Sequence, residues 1–404
     1  MFQKTLRKFR ELPPQTRSMI AIFWVYELAQ IITQIFLNAY VFLQTREILS
    51  LIIYNFIFGI GIFLGFSIWG IFVAQKQISM RLNYAKSFLI YFIGFMWLLW
   101  TPPEFKNLCI FGFLNGLGLG VFWLGVHTFE MIFTKENNRD FYSSMVSIGT
   151  QTLRIISPAI ATLLFFISEK WLKTDTFFLL FWILPFIYLL AIPFLFKLPN
   201  FIPAKITKKE VKELFFEKKL KSARQYIFWS GFDFPIYSIT TAIISLAVLK
   251  NVINIGLFET VVGIFSIFTI LFLSHRRHEN NRVKILKISI FGLVLGILCL
   301  SQFERSNYFF FAFSLIFVFL TPIFRVSIHV LDLHSIEKLK RKTPHFYPGL
   351  LYRDAILFFT RILVFISLTG FYLLSKSEIQ TLYFACFLWG FCLIVLGSKA
   401  SKMV

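Results

Sequence analysis

One combination of residue types occurs twice in this chain. Each copy has a histidine, an acid three residues later and an arginine nine residues beyond the acid, and the copies lie 202 positions apart: His127, Glu130, Arg139 and His329, Asp332, Arg341. A histidine and an acid one helical turn apart can relay a proton, supply two metal ligands or form a structural hydrogen bond. Because no thiol or third ligand accompanies either pair, we predict no metal site, whereas the proton relay and the structural pair both stay open.

Five more charged residues lie deep inside apolar runs. They are two acids, Glu27 and Asp233, and three arginines, Arg154, Arg325 and Arg361. A charge at the centre of a bilayer costs about 3 kcal/mol or more, so such residues usually face the interior of a helix bundle or water. The acids could carry protons or form permanent pairs with the arginines, and the arginines could hold a carboxylate or phosphate of a solute.

Polar residues extend these charges along single helix faces, at spacings of three or four residues. We predict that eight residues line a central cavity: Gln30, Gln34, Asn38, Gln151, Arg154, Tyr237, Thr241 and Arg325. The polar face from Glu27 to Asn38 has a counterpart from Ser230 to Thr241, at an offset of 203 residues. Several matches at nearly the same offset indicate an internal duplication.

These residues require helices that cross a membrane. A hydrocarbon core of about 30 Å needs roughly 20 apolar residues in a helix that rises about 1.5 Å per residue. Hydrophobic residues make up 57% of the 404 residues, which leaves little room for a soluble domain. We predict an all-α integral membrane protein with twelve transmembrane helices, at about 18–43, 48–74, 86–101, 107–133, 141–168, 174–196, 225–249, 253–274, 284–303, 307–333, 349–374 and 379–398.

Positive charges alternate from one connection to the next along the chain. Of the 41 Lys and Arg residues, 31 lie in the termini and the even-to-odd connections, seven in the other connections and three inside the spans. The positive-inside rule therefore places both termini in the cytoplasm of a protein of the cell (inner) membrane. The net charge of +21 would suit nucleic acid in a soluble protein, but this alternation predicts membrane lipids and no nucleic acid as partners.

A basic stretch divides the predicted spans into two sets of six. We predict an N-terminal six-helix bundle at 1–197, a cytoplasmic basic linker at 198–223 with an amphipathic helix, and a C-terminal six-helix bundle at 224–404. The first apolar run is too long for a cleavable signal sequence, so we predict a retained span. The four cysteines lie inside predicted spans without metal-ligand spacing, which predicts neither a disulfide framework nor a zinc site.

Two pseudo-symmetric halves with polar residues on spans one, four, seven and ten resemble the major facilitator superfamily, and the resemblance covers nearly the whole chain. The family motifs are degraded. After span two, Gly70 and Arg81 remain of the family's Gly-x-x-x-Asp-Arg-x-Gly-Arg-Arg, without its Asp and second Gly, and the Gly-Pro of span five is Ser157-Pro158. In span four the family's Arg is missing, and its glycine run remains as Gly116, Gly118 and Gly120. These departures preserve the expected fold but remove the usual clues to substrate and direction.

The resemblance implies a secondary active transporter that moves a small solute by alternating access, with no enzymatic activity and no cofactor. The chain has no P-loop sequence, so we expect an ion gradient or the solute's own gradient to supply the energy. Anionic and aromatic solutes both fit arginines beside aromatic side chains. We predict proton coupling at Glu27, Asp233, His127 and His329.

Acids followed by arginines near one membrane surface resemble the cytoplasmic gates of the superfamily. We predict such a gate at Glu130, Arg139, Asp332 and Arg341. Two other classes of protein stay open. A non-transporting sensor or accessory protein would keep the fold and fill the cavity, and a membrane-embedded transferase would use one histidine–acid pair chemically.

Overall fold

The computed structural model describes residues 9–134, 136–274, 282–340 and 346–401. Within this part of the chain, twelve apolar helices follow the twelve predicted spans. They are α1 Pro14–Thr45, α2 Ile48–Gln75, α3 Met80–Trp100, α4 Phe105–Phe133, α5 Glu136–Phe166 with a π-helical turn at Ile167–Leu172, α6 Phe178–Leu195, α7 Lys221–Leu249, α8 Val252–Ser274, α9 Arg282–Leu300, α10 Asn307–Lys340, α11 Tyr347–Ser375 and α12 Glu378–Ala400. By length and composition eleven can cross a membrane, and α8 contributes a shorter apolar stretch, Val252–Ser266. The predicted all-α fold is confirmed.

Helices α2 and α4 pack with their backbones in direct contact. Gly116 and Gly120 of α4 face Phe58 and Ile62 of α2, and a Cβ atom on either glycine would overlap a carbonyl oxygen of α2. Small residues at such a contact let two membrane helices approach closely. The glycine run of the fourth span therefore serves helix packing.

We call α1–α6 the N-half and α7–α12 the C-half. The most extensive contacts between them join α5 to α8, α2 to α11 and α1 to α7. At the α5–α8 contact, Gly263 packs against the backbone of Arg154. At the α2–α11 contact, the rings of Phe63 and Phe358 stack with their centroids 4.1 Å apart. Residues near the middle of these helices thus lie at the boundary between the halves.

Two hydrogen bonds join the halves toward the end of the bundle opposite the chain termini. Asn38 of α1 donates from Nδ2 to the carbonyl oxygen of Ser238 of α7, at 3.1 Å. The backbone N–H of Ile48, at the start of α2, donates to Oε1 of Glu378 at the start of α12, also at 3.1 Å. These contacts hold the halves together at that end.

Helix α7 is interrupted near its middle. Its first segment ends at Ser230, the chain turns through Gly231 and Phe232, and its second segment begins at Asp233. Pro235 has no N–H to donate to the carbonyl of Gly231, which accounts for the interruption. The interruption places Asp233 at a helix N-terminus inside the bundle.

The linker between the halves contains a short helix, Lys208–Phe216, where the sequence predicts an amphipathic helix over Lys208–Lys221. Thr207 and Glu210 form a capping box at its N-terminus. Beyond its other end, Arg224 of α7 donates from Nη1 to the carbonyl oxygen of Glu217, at 2.8 Å. This bond attaches the end of the linker to the start of α7.

Candidate functional site

A cluster of charged residues surrounds Tyr237 at the boundary between the halves. The phenol of Tyr237 lies within electrostatic range of charged side chains from four helices: Arg154 of α5, Asp233 of α7, Glu259 of α8 and Arg325 of α10. Glu27 of α1 lies within electrostatic range of Arg154 and completes the set, which we call the central cluster. Arg154 is exposed and the side chain of Arg325 is 41% exposed, so open space adjoins the cluster.

Asp233 is held by direct contacts within the C-half. Its Oδ2 lies 3.0 Å from Nη1 of Arg325, and its Oδ1 accepts a hydrogen bond of 2.9 Å from Nε1 of Trp389 of α12. The N-terminus of the second α7 segment adds a helix dipole that favours negative charge. The carboxylate of Asp233 thus connects α7 with α10 and α12.

Glu27 and Glu259 approach Arg154 from opposite halves. Glu27 lies in the N-half, where the hydroxyl of Thr150 is within hydrogen-bonding reach of its carboxylate. Glu259 lies in the C-half and also interacts electrostatically with Arg154. Among the residues that the structure describes, neither carboxylate forms an ion pair with Arg154 within 4.0 Å. One guanidinium therefore attracts two carboxylates across a gap.

The α5–α8 contact brings Glu259 to the side of Arg154. A Cβ atom on Gly263 would lie 2.6 Å from the carbonyl oxygen of Arg154, so the two backbones touch. Further along α8, Ser266 donates from Oγ to Oε1 of Gln151, at 3.1 Å. Glu259 precedes Gly263 by one helical turn on the same face of α8, which directs its carboxylate toward α5.

The structure brings four of the predicted cavity residues to this region: Gln151, Arg154, Tyr237 and Arg325. Thr241 lies one turn beyond Tyr237, and its hydroxyl donates to the carbonyl of Tyr237 at 2.7 Å. Gln34 is exposed. Asn38 lies between the halves but toward their closed end, where it also accepts a hydrogen bond from Asn55 at 3.1 Å.

Gln30 faces the interior of the N-half. It is 3% exposed, and its Oε1 accepts a hydrogen bond of 3.1 Å from the hydroxyl of Tyr188 of α6. The ring of Tyr188 stacks on Tyr91 with the centroids 4.3 Å apart. This contact with α6 separates Gln30 from the residues that α5 and α8 bring together.

His127 and Glu130 form a buried pair within α4. Nδ1 of His127 lies 3.4 Å from Oε2 of Glu130, and the imidazole packs beside the ring of Trp123. Among the described residues, no group of three or more His, Cys, Asp or Glu side chains could hold a metal ion. The pair has the geometry for a hydrogen bond, which suits a relay and a structural role alike.

The other residues of the predicted relay and gate lie outside the described side chains. Arg341 lies outside the described residues, and the side chains of Arg139, His329 and Asp332 are likewise outside the description. The predicted gate and the second half of the predicted relay therefore stay predictions.

A second acid–arginine site lies at the α2–α11 contact. Asp354 of α11 is 3% exposed and accepts a hydrogen bond of 2.9 Å from Oγ of Ser67. Its Oδ1 lies 3.9 Å from Nη1 of Arg361, two turns further along the same helix. Ser67 belongs to a π-helical turn, Leu64–Ile68, and such turns are frequent at functional sites. Arg361 thus belongs to this contact.

The sequence analysis does not single out Glu259, Ser67 or Trp389, whereas Asp354 is recognisable in the sequence as an acid two helical turns before Arg361. Glu259 carries a detectable signal, since it is an acid inside an apolar run. The repeat does not reveal it, because Phe56 and Ile57 occupy the positions 203 and 202 residues earlier. Ser67 and Trp389 carry no comparable signal, because such residues are common in membrane helices.

A sequence profile for the Major Facilitator Superfamily matches residues 56–338 of the chain. No curated protein sequence matches it. Among solved structures, the nucleoside transporter NupG is similar at 12% identity and a TM-score of 0.64, over 96% of this chain and 98% of that one. The human organic anion transporter MFSD10 (TETRAN) is similar at 12% identity and a TM-score of 0.65, over 96% and 100%. A bacterial homolog of the human lysosomal transporter Spinster, inward-facing and occupied, is similar at 11% identity and a TM-score of 0.59, over 96% of each chain.

Proposed function

The chain belongs to the Major Facilitator Superfamily and is a membrane transporter, and we propose that it is a secondary active transporter that couples a small solute to protons by alternating access. The observation that carries this proposal is the position of the central cluster. Its charges come from α1 and α5 of the N-half and from α7, α8 and α10 of the C-half. A rocking motion of the halves would change the distances within it, so its protonation would depend on which side is open.

We further propose that residues 1–197 and 224–404 are the moving bodies, with 198–223 as a cytoplasmic linker in a protein of the cell (inner) membrane. With cytoplasmic termini, the hydrogen bond from the hydroxyl of Tyr347 of α11 to the carbonyl oxygen of Gly70 of α2 would join the halves on the cytoplasmic side. The bonds from Asn38 and Ile48 would close the external face, and their rupture would open it.

The charges also bear on the solute. Both guanidiniums of the central cluster already face carboxylates, so an anionic solute would have to compete with Glu27, Glu259 or Asp233 for them. The aromatic rings of Tyr237 and Phe317, stacked at 5.3 Å, offer a surface for a planar solute. Nucleosides and organic anions, named for two of the similar structures, are therefore rational first solutes to test.

The proposal is tested in two steps. A solute library that includes nucleosides and organic anions is screened for thermal stabilisation of the purified protein at two pH values, because a ligand stabilises the state that it binds. Uptake of the best solute is then measured in proteoliposomes with and without an imposed proton gradient. We expect the gradient to drive accumulation, and Glu27→Gln to abolish the gradient-driven part.

Glu104→Gln is the matched control, since Glu104 is exposed in a connection and pairs only with Lys106 nearby. Solute flux that depends neither on the proton gradient nor on Glu27→Gln would overturn the proton coupling. Binding of a solute without any flux would instead identify the non-transporting sensor.

A further inference from the structure

The charges of the central cluster do not balance. Three carboxylates, Glu27, Asp233 and Glu259, face two guanidiniums, Arg154 and Arg325. The contact of 3.0 Å between Asp233 and Arg325 pairs one carboxylate with one guanidinium. Two carboxylates then share Arg154, which leaves one uncompensated negative charge when both are ionised. Such a charge is costly in a low-dielectric interior, and a proton is the smallest cation that removes it.

We propose that Glu27, Arg154 and Glu259 form one proton-binding site, in which a single proton is shared by carboxyl groups from opposite halves. The inference rests on the proposed proton-coupled transport and adds Glu259 as the carboxyl of the C-half. Loading forms one O–H bond on a carboxylate oxygen and breaks one O–H bond of a hydronium ion on the open side, which becomes water.

The described neighbours of Glu259 do not supply the missing positive charge. On α5 the only charged neighbour is Arg154 itself, which Glu27 of α1 shares. On α7 the neighbour is the neutral phenol of Tyr237, which also lies within electrostatic range of the paired Asp233 and Arg325. Among the described residues, a proton is therefore the remaining source of compensation.

The positions of the two acids explain how the site would sense the motion. Glu27 and Arg154 belong to α1 and α5 of the same half, and these helices touch where Gly149 packs on the indole of Trp24. Glu259 belongs to the other half. Rocking therefore moves Glu259 relative to Glu27 and Arg154. Approach of Glu259 brings a second carboxylate to one guanidinium and favours proton binding, whereas its withdrawal leaves Glu27 matched by Arg154 and favours release.

At the α2–α11 contact, no acid moves relative to an arginine of the other half among the described residues. There the acid and the arginine, Asp354 and Arg361, both lie on α11, and the described part of the N-half contributes the hydroxyl of Ser67 as a hydrogen-bond donor. Motion of the halves leaves that acid and arginine on one helix. The α5–α8 contact is thus the one at which the motion separates opposite charges.

The proton itself is the probe in the test. The full-length protein is labelled with ¹³C-glutamate, which separates glutamate from aspartate signals, and is embedded in lipid nanodiscs. Infrared difference spectra follow the C=O band of protonated glutamate as the pH is lowered from about 9 to about 5. We expect a transition in the wild type that is lost in both Glu27→Gln and Glu259→Gln, because the remaining carboxylate is then matched by Arg154.

Three further variants sharpen the result. Arg154→Gln should move the transition to higher pH, since both carboxylates then lack a cation. Glu259→Asp, unlike Glu259→Gln, should retain the transition, because a carboxyl group is still present. A merely structural role for Glu259 would not require this result. Glu169→Gln, at an exposed position, is the matched control and should leave it unchanged. Thermal unfolding of each variant confirms that it is folded.

A wild-type transition that survives Glu259→Gln, or two separate transitions removed singly by Glu27→Gln and Glu259→Gln, would overturn the shared site. These outcomes are distinct from failure of the proposed function. A shared transition in a protein whose solute flux ignores the proton gradient would uphold the site and refute the coupling.

Discussion

At the scale of the residue, the cluster contains two kinds of carboxylate. Asp233 has a direct cation, an indole N–H and a helix N-terminus, and only 6% of its side chain is exposed. Glu27 and Glu259 share one guanidinium at a distance. The first arrangement is a direct ion pair that joins α7, α10 and α12, and the second suits groups that share one proton.

This distinction predicts the effect of removing the cation from Asp233. Arg325→Gln leaves the buried carboxylate without its ion-pair partner, which should lower the free energy of unfolding by about 1–3 kcal/mol, because Arg325 is partly exposed and Trp389 still donates to Asp233. The loss should be greatest at high pH, because protonation at low pH removes the unpaired charge. Thermal unfolding in detergent at two pH values measures both effects.

Two controls accompany this measurement. Asp233→Asn in the same chain should restore most of the lost stability, because it removes the orphaned charge. Lys106→Gln breaks the exposed pair with Glu104 and should cost about 0–1 kcal/mol. A loss in Arg325→Gln that neither low pH nor Asp233→Asn relieves would show that the carboxylate is not its cause.

The partners of these side chains are harder to predict from the sequence than the side chains themselves. Asp233 and Arg325 are identifiable from the sequence as charges inside apolar runs, but their mutual pairing depends on how α7 and α10 are rotated. Membrane helices are apolar on most faces, so hydrophobic periodicity does not define that rotation. Trp389 is one of nine tryptophans, and only packing singles out its N–H as the donor to Asp233.

At the scale of the element, helix existence is largely encoded in the length of the apolar runs. Most predicted bounds lie within a few residues of the observed ones. The largest differences arise where polar residues continue a helix: α3 begins at Met80, before Arg81 and Lys86, and α10 continues to Lys340. Such polar turns are helical without being apolar, so hydropathy underestimates them.

Irregular turns are less accessible from sequence. Pro235 is a visible signal for the interruption of α7, although Pro158 leaves α5 continuous in the structure. The π-helical turn Leu64–Ile68 has no proline. The turn coincides with contacts to other helices, where Gly65 touches α4 and Ser67 bonds to α11.

The glycine contact between α2 and α4 leads to a prediction about packing. Gly116→Ala puts a methyl group into the carbonyl oxygen of Phe58, which belongs to the backbone and cannot rotate away. We expect the free energy of unfolding to fall by about 1–3 kcal/mol, as for other overpacked cores. Thermal or chemical unfolding in detergent measures the change.

Gly370→Ala is the matched control, because no atom lies within 4 Å of a Cβ at that position of α11. There the helix propensity of alanine should raise stability by about 0.5–1 kcal/mol. Equal effects of the two substitutions would mean that the α2–α4 contact is looser than the structure indicates.

At the scale of the whole molecule, the two halves meet along α5–α8, α2–α11 and α1–α7. The polar bonds of Asn38 and Ile48 close one end, while the central cluster lies between the closed end and the termini. Alternating access requires the closed end to separate while each half stays intact. A covalent link across the halves should therefore block transport, whereas a link within one half should not.

The chain offers two comparable pairs of positions for this test. A Cβ atom on Gly256 of α8 would lie 3.3 Å from Cβ of Thr162 of α5, and one on Gly94 of α3 would lie 3.4 Å from Cβ of Leu114 of α4. Both distances are close to the roughly 3.5–4.5 Å of natural disulfides. The first pair crosses the halves and the second lies within the N-half, so they differ mainly in what they join.

Cysteine pairs at these positions are made in a chain without its four native cysteines, and solute flux is measured in proteoliposomes. Oxidation of the 162–256 pair should abolish flux, and a reducing agent should restore it, because the closed end can then separate again. Oxidation of the 94–114 pair should leave flux unchanged. If the 162–256 disulfide forms and flux continues, α5 and α8 do not separate during transport, and the site shared by Glu27 and Glu259 would have to load its proton without rocking of the halves.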